Sequence, residues 1–134
     1  MPTKTIFIAR AFGIFMIAFV IGIGIRGTNV IYASVADGQI VLLHAILTLA
    51  FGAAMVVGHN IWRGGLLPIV VTLIGWLSFL KGIALLLLPT DAMLSVYRQT
   101  SYERYGYYYL VPSLLLGIYL VWAGFSASRS KQAG

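Results

Sequence analysis

The chain has 134 residues, 60% of them hydrophobic and 9% charged, with no cysteine and a formal net charge of +6. A soluble domain carries about 25% charged residues, so a water-soluble globule is excluded, and intrinsic disorder, which needs low hydrophobicity and high charge, is excluded with it. The absence of cysteine removes a disulfide scaffold and any thiolate metal site, and the length fits one domain.

What remains is a small integral membrane protein. A helical span needs about 20 mostly apolar residues to cross about 30 Å of hydrocarbon. Four stretches qualify, at about 5–25, 39–58, 66–88 and 107–126. They are apolar all round rather than alternating, which argues against a β-barrel. The expected fold is all-α: a transmembrane four-helix bundle formed by residues 1–134 as a single membrane domain, with a short interfacial helix between the third and fourth spans.

The first span contains one charge, Arg10. It lies one or two turns from the start, and its side chain leans toward that end, so it is expected to snorkel to the surface. Gly13, Gly22 and Gly24 are expected to form a close-packing face. Lys4 and Arg10 with Ser34-Val35-Ala36 have the outline of a cleaved signal peptide. The segment from Arg26 to Ala36 is too long and polar for that, so the span is expected to stay. Arg26-Gly27 ends it, and Asp37-Gly38 opens the second.

On the second span His44, Thr48, Met55 and His59 form a row within about 60° of a helical wheel, flanked by Phe51 and Gly52. His44 and His59 are about 22 Å apart along one helix, so they cannot share a metal. No carboxylate stands nearby in sequence to orient either imidazole, and neither metal nor haem is expected. The loop that follows, His59-Asn60-Ile61-Trp62-Arg63-Gly64-Gly65, offers His59, Asn60, Trp62 and Arg63 as a candidate cytoplasmic site for a headgroup or partner subunit. Its plainer reading is a tight helical hairpin, with Trp62 at the interface and two glycines making the turn.

The third span contains Lys81, two turns before Pro89. A centred lysine costs about 2.5–3.5 kcal/mol on insertion scales. No acid lies within any span to pair with it. Candidate partners are Asp91 and Asp37 at the rim, His44, or backbone carbonyls. Gly75, Ser78, Lys81 and Gly82 share a face about 120° wide. If it meets the His44 row, then Lys81, His44, Ser78 and Thr48 form a polar intramembrane site. Two plainer readings compete: Lys81 snorkels near a helix end, and the small residues serve ordinary helix packing.

Pro89 marks a helix stop. Thr90 and Asp91 are expected to cap a short helix through about Arg98, with Met93, Val96 and Tyr97 on the side that lies at the membrane surface. Thr100-Ser101-Tyr102-Glu103 reads as a capping box for the next helix. Six tyrosines between Tyr97 and Tyr109 mark an interface. The fourth span carries Ser113-x-x-x-Gly117 and Gly124 as packing positions, and Pro112 as a kink whose freed carbonyl is a further candidate to solvate Lys81.

Lys4, Arg10, Arg63, Arg129 and Lys131 fall on one side of the spans. Arg26, Arg98 and Arg104 fall on the other, with all three acids, Asp37, Asp91 and Glu103. This bias puts both termini in the cytoplasm of a cell whose inner (plasma) membrane holds the chain. The basic face is expected to attract anionic lipid headgroups. The cations are scattered through loops rather than set in a stripe, so nucleic acid is not an expected partner.

The pieces His59-Asn60-x-Trp62-x-Gly64, Thr72-x-x-Gly75-Trp76 and Leu80-Lys81-Gly82 before Pro89 resemble small uncharacterised four-span bacterial inner-membrane proteins. The resemblance covers about a third of the chain and implies no activity. No paired carboxylates, nucleophile motif, P-loop or dinucleotide fingerprint is present, so an enzyme is not expected. The functional expectation is a small oligomeric channel or transporter with a polar outer-leaflet site around Lys81. The alternative is a non-catalytic accessory or assembly subunit of a larger membrane complex, in contact with quinone or lipid.

Overall fold

The computed structural model describes residues 3–132, apart from the side chains of residues 102, 103 and 128–132. Every element is a helix: α1 (Thr3–Arg26), α2 (Asn29–Ala36), α3 (Gly38–Gly58), α4 (Leu66–Leu87), α5 (Thr90–Gln99) and α6 (Tyr102–Gln132). Four are long and apolar enough to cross a membrane: α1, α3, α4 and the Arg104–Ala127 stretch of α6. Phe7, Ile25, Leu47, Val57, Leu87 and Trp122 are among many large apolar side chains left exposed. An apolar exterior of this extent suits lipid, since soluble monomers seldom expose contiguous apolar patches above a few hundred Å².

The bundle is built as two antiparallel pairs. α3 packs along α4, and α1, the first helix, packs along α6, the last. Glycines set both seams. A methyl placed on Gly82 would stand 2.6 Å from Leu49 Cα, and one on Gly75 would stand 2.7 Å from Met55 Cβ. In the other pair a methyl on Gly13 would come within 2.9 Å of Gly117 O and Val121 N. Without side chains there, the backbones approach closely enough for dispersion to hold helices together in a medium that supplies little hydrophobic drive. The expected packing positions Gly13, Gly117 and Gly124 therefore serve as such. Gly22 and Gly24 do not: the space their side chains would take is open.

The pairs meet mainly through α1 and α4, with a smaller contact between α4 and α6. Ala9, Met55, Leu67, Val71 and Leu120 form the buried core at this junction. Phe12 on α1 stacks on Phe51 of α3 with ring centroids 5.2 Å apart, in the offset range aromatic pairs prefer.

The start of α1, the end of α6 and the α3–α4 loop share one end of the bundle, and α2 and α5 lie at the other. Asp37 caps α3 as expected, its carboxylate accepting from Gln39 N and Ile40 N at 2.9 and 3.2 Å. Neither Thr90 nor Asp91 caps α5; Pro89 holds the N-cap position and offers no side-chain acceptor. The described half of the expected capping box is Thr100. Its hydroxyl donates backward to Val96 O and Tyr97 O, closing α5. α6 instead begins after Ser101, a residue with φ of 49° whose carbonyl accepts from Arg104 N and Tyr105 N. The Glu103 side chain, the other half of the box, lies outside the described residues, as do those of Arg129 and Lys131 in the basic tail.

Met93 is buried on α5, Tyr97 is half-buried and Val96 is exposed, so the expected single face is split. Burial raises the Tyr97 phenol above its ordinary value, which keeps it neutral. Tyr105, Tyr107, Tyr108 and Tyr109 stand exposed where α6 leaves this end. The short helix α2 has no counterpart in the sequence reading. Thr28 precedes it and packs on Gly106 of α6, where a methyl would meet Thr28 Cβ at 2.7 Å.

Candidate functional site

The two groups of residues singled out in the sequence have different surroundings. In the first, Thr48 and Ser78 are half-buried along the α3–α4 seam, while His44 and Lys81 are exposed. Gly75 and Gly82 turn toward α3 and make the seam. Lys81, on the same broad face of α4, is left at its edge. Lys81 and His44 come within electrostatic range of each other. They lie on the outer surface of the pair rather than in an enclosed cavity. Among the described residues Lys81 has no hydrogen bond or ion pair. The carbonyl freed by Pro112 does not solvate it, and neither rim acid, Asp37 nor Asp91, reaches it.

The second group is the loop after α3. His59 ends that helix, its N–H donating to Met55 O at 2.7 Å. Its ring is 2% exposed and lies between two threonines that are 0% (Thr5) and 1% (Thr72) exposed. Nε2 is 2.8 Å from Thr5 Oγ1 on α1, and Nδ1 is 3.2 Å from Thr72 Oγ1 on α4. The Thr72 hydroxyl also donates to Ile61 O and accepts from Ile61 N, each at 3.0 Å.

Both ring nitrogens of His59 are engaged, Nε2 by Thr5 and Nδ1 by Thr72, with the donor and acceptor roles set by the tautomer. Every polar atom of this node then has a partner, which a buried polar cluster needs if it is not to destabilise the fold. The node ties α1, α4 and the loop together at one point.

Asn60 extends it outward. Its side-chain oxygen accepts from the Trp62 indole at 2.6 Å and from the Trp76 indole at 3.4 Å. Gly64 and Gly65, with φ of 92° and 114°, then turn the chain into α4. Positive φ favours glycine, and the tight turn read from the sequence is present. Arg63 is exposed beside it. The structure thus brings together His59, Asn60 and Trp62 with Thr72 and Trp76, two residues noted in the sequence only as parts of a pattern. It adds Thr5, which sequence reasoning missed. The one available signal was a threonine in the first turn of an apolar span.

Arg10 does not behave as a free snorkelling cation. Its Nε donates to Gly124 O on α6 at 3.1 Å, and its guanidinium lies 4.2 Å from the centroid of the Phe125 ring. Gly124 leaves room for this, since a methyl there would stand 3.0 Å from Arg10 Cγ. No three His, Asp or Glu side chains gather at one point among the described residues.

Comparison with protein-family models, curated proteins and solved structures finds no match for this chain. The sequence and the geometry alone therefore carry any functional reading.

Proposed function

We propose that the chain is a small, non-catalytic channel- or transporter-type protein of the inner (plasma) membrane, with both termini cytoplasmic, that works as an oligomer with Lys81 at the seam between copies. The observation that carries this reading is the exposed Lys81–His44 pair on the α3–α4 face, with no acid beside it among the described residues. A lysine facing hydrocarbon costs about 2.5–3.5 kcal/mol, so covering that face with a polar seam is favourable. A two-fold interface sets the same patch against itself. Two lysines then face each other, and an anion between them relieves the repulsion. The cargo of such a seam is anionic.

The test is flux of a small anion from liposomes containing purified protein, comparing wild type with Lys81→Met and following oligomeric state in parallel. The expected result is a loss of flux of more than tenfold in a variant that still folds. Failure of the wild-type protein to pass any anion, cation or neutral solute under a gradient would sink the transport reading.

The accessory-subunit reading has its own support in the open space at the last turns of α1. Gly22 and Gly24 have nothing against them there, and Ile21 and Ile25 are exposed. A smooth helix face of this kind suits docking on a larger complex. It predicts other membrane polypeptides co-purifying in mild detergent, lost on Gly22→Leu; a clean homo-oligomer would count against it.

A further inference from the structure

At the end of the bundle that holds the polar node, a groove of about 480 Å³ opens between α1 and α3. That volume is within the about 300–1,000 Å³ range of small-molecule pockets. Its walls are mostly apolar: Phe7 and Ile8 on one side, Ala54, Met55 and Gly58 on the other, with the His59 ring at its base. Lys4 is exposed at its mouth. Nothing fills the space above Gly58, where a methyl would have no neighbour within 4 Å. The His59 ring is almost wholly enclosed and its nitrogens are engaged by Thr5 and Thr72, so it gives the groove no free donor. The chemistry is that of an apolar slot with one cation at its rim.

The charge of the surroundings selects the occupant. Lys4 and Arg63 lie at this end, while Asp37 and Asp91 lie at the opposite one, where α3 and α5 begin. An apolar chain in the slot therefore meets cationic potential at its head and no competing carboxylate among the described residues. A zwitterionic headgroup gains less there than an anionic one, since basic residues near a membrane surface are worth about 1 kcal/mol each toward anionic lipid.

We infer that this groove holds one anionic phospholipid, with an acyl chain along Phe7, Ile8, Ala54, Met55 and Gly58 and the phosphate at Lys4. The lipid extends the contact between the two helix pairs beside the Phe12–Phe51 stack. The site is independent of the Lys81 face, which lies nearer the other end of α4.

The experiment is native mass spectrometry of the full chain released from micelles containing equal amounts of phosphatidylglycerol and phosphatidylcholine. Wild type is expected to keep one phosphatidylglycerol with at least a fivefold preference. Lys4→Gln should bring the preference near unity, while Lys4→Arg should keep it. Ala54→Trp, at an exposed position, should fill the slot and remove the retained lipid of either kind. Leu47→Trp, on lipid-exposed surface elsewhere on α3, should behave as wild type and shows that a new indole alone is not the cause. Equal retention of both lipids by wild type would overturn the inference. So would an anionic preference that survives both Lys4→Gln and Ala54→Trp, since the lipid would then sit elsewhere.

Discussion

His44 and His59 belong to the same apolar run, yet the structure gives them opposite settings. His59 has both ring nitrogens within hydrogen-bond distance of a threonine hydroxyl and is almost wholly enclosed. His44 is exposed beside a lysine, with no acid among the described residues to balance either. One imidazole is a joint between helices, fixed by its neighbours. The other sits on a surface whose polar requirements the chain does not meet by itself. In a membrane protein the first kind of polar residue supports the fold, and the second kind points beyond the protomer.

The contrast can be broken or sharpened by substitution, with the largest effect expected at the joint. His59→Ala removes a buried ring and takes its partner from the Thr5 hydroxyl, while Thr72 keeps its bonds to Ile61. Cavity formation and lost hydrogen bonds together should cost about 3 kcal/mol or more, read as a large drop in the melting temperature of the detergent-solubilised protein. Thr72→Val keeps the volume and removes the bonds to His59 and Ile61. It should cost about 2 kcal/mol and increase proteolysis at the loop. Thr5→Val breaks only the link to α1 and should cost about 1 kcal/mol. A cost equal to that of Thr72→Val would mean that the α1 link, not the loop, is the stronger half of the joint. Lys81→Met should leave the melting temperature unchanged or slightly raised, because no partner is lost. A destabilisation above about 1 kcal/mol, outside the usual range for exposed sites, would show that Lys81 is held within the protomer after all.

The four spans were legible because hydropathy and length set them directly. The expected bounds 39–58 and 66–88 fall within a residue of α3 and α4. α6 runs well past 107–126 at both ends, since its first turns lie among tyrosines and polar residues that hydropathy does not count. α2 was invisible because eight residues rich in Val and Ala have too little helical preference alone; it forms between Gly27 and Asp37 by packing on α5 and α6.

The loop residues could be chosen from the sequence, but their partners could not. Thr5 is 54 positions from His59, and no local pattern reports a contact at that separation. Arg10 was misread for the same reason. Its depth suggested easy escape to the surface, while its acceptor, Gly124 O, lies at the other end of the chain. The wheel placed Lys81, Gly75 and Gly82 on one broad face, but only the glycines turned out to meet α3. A face 120° wide spans both a seam and its margin.

The pairing of the first helix with the last has a consequence for biogenesis. α3 and α4 are neighbours in sequence and can close as a hairpin as soon as both are inserted. α1 leaves the ribosome before α3 and α4, and its glycine seam must wait for a partner synthesised after both. In that interval the contacts open to α1 are the His59–Thr5 bond, the Phe12–Phe51 stack and its packing on α4. A nascent chain stalled before α6 should accordingly cross-link Thr5 to His59 through introduced cysteines, and do so before any cross-link forms at Gly13.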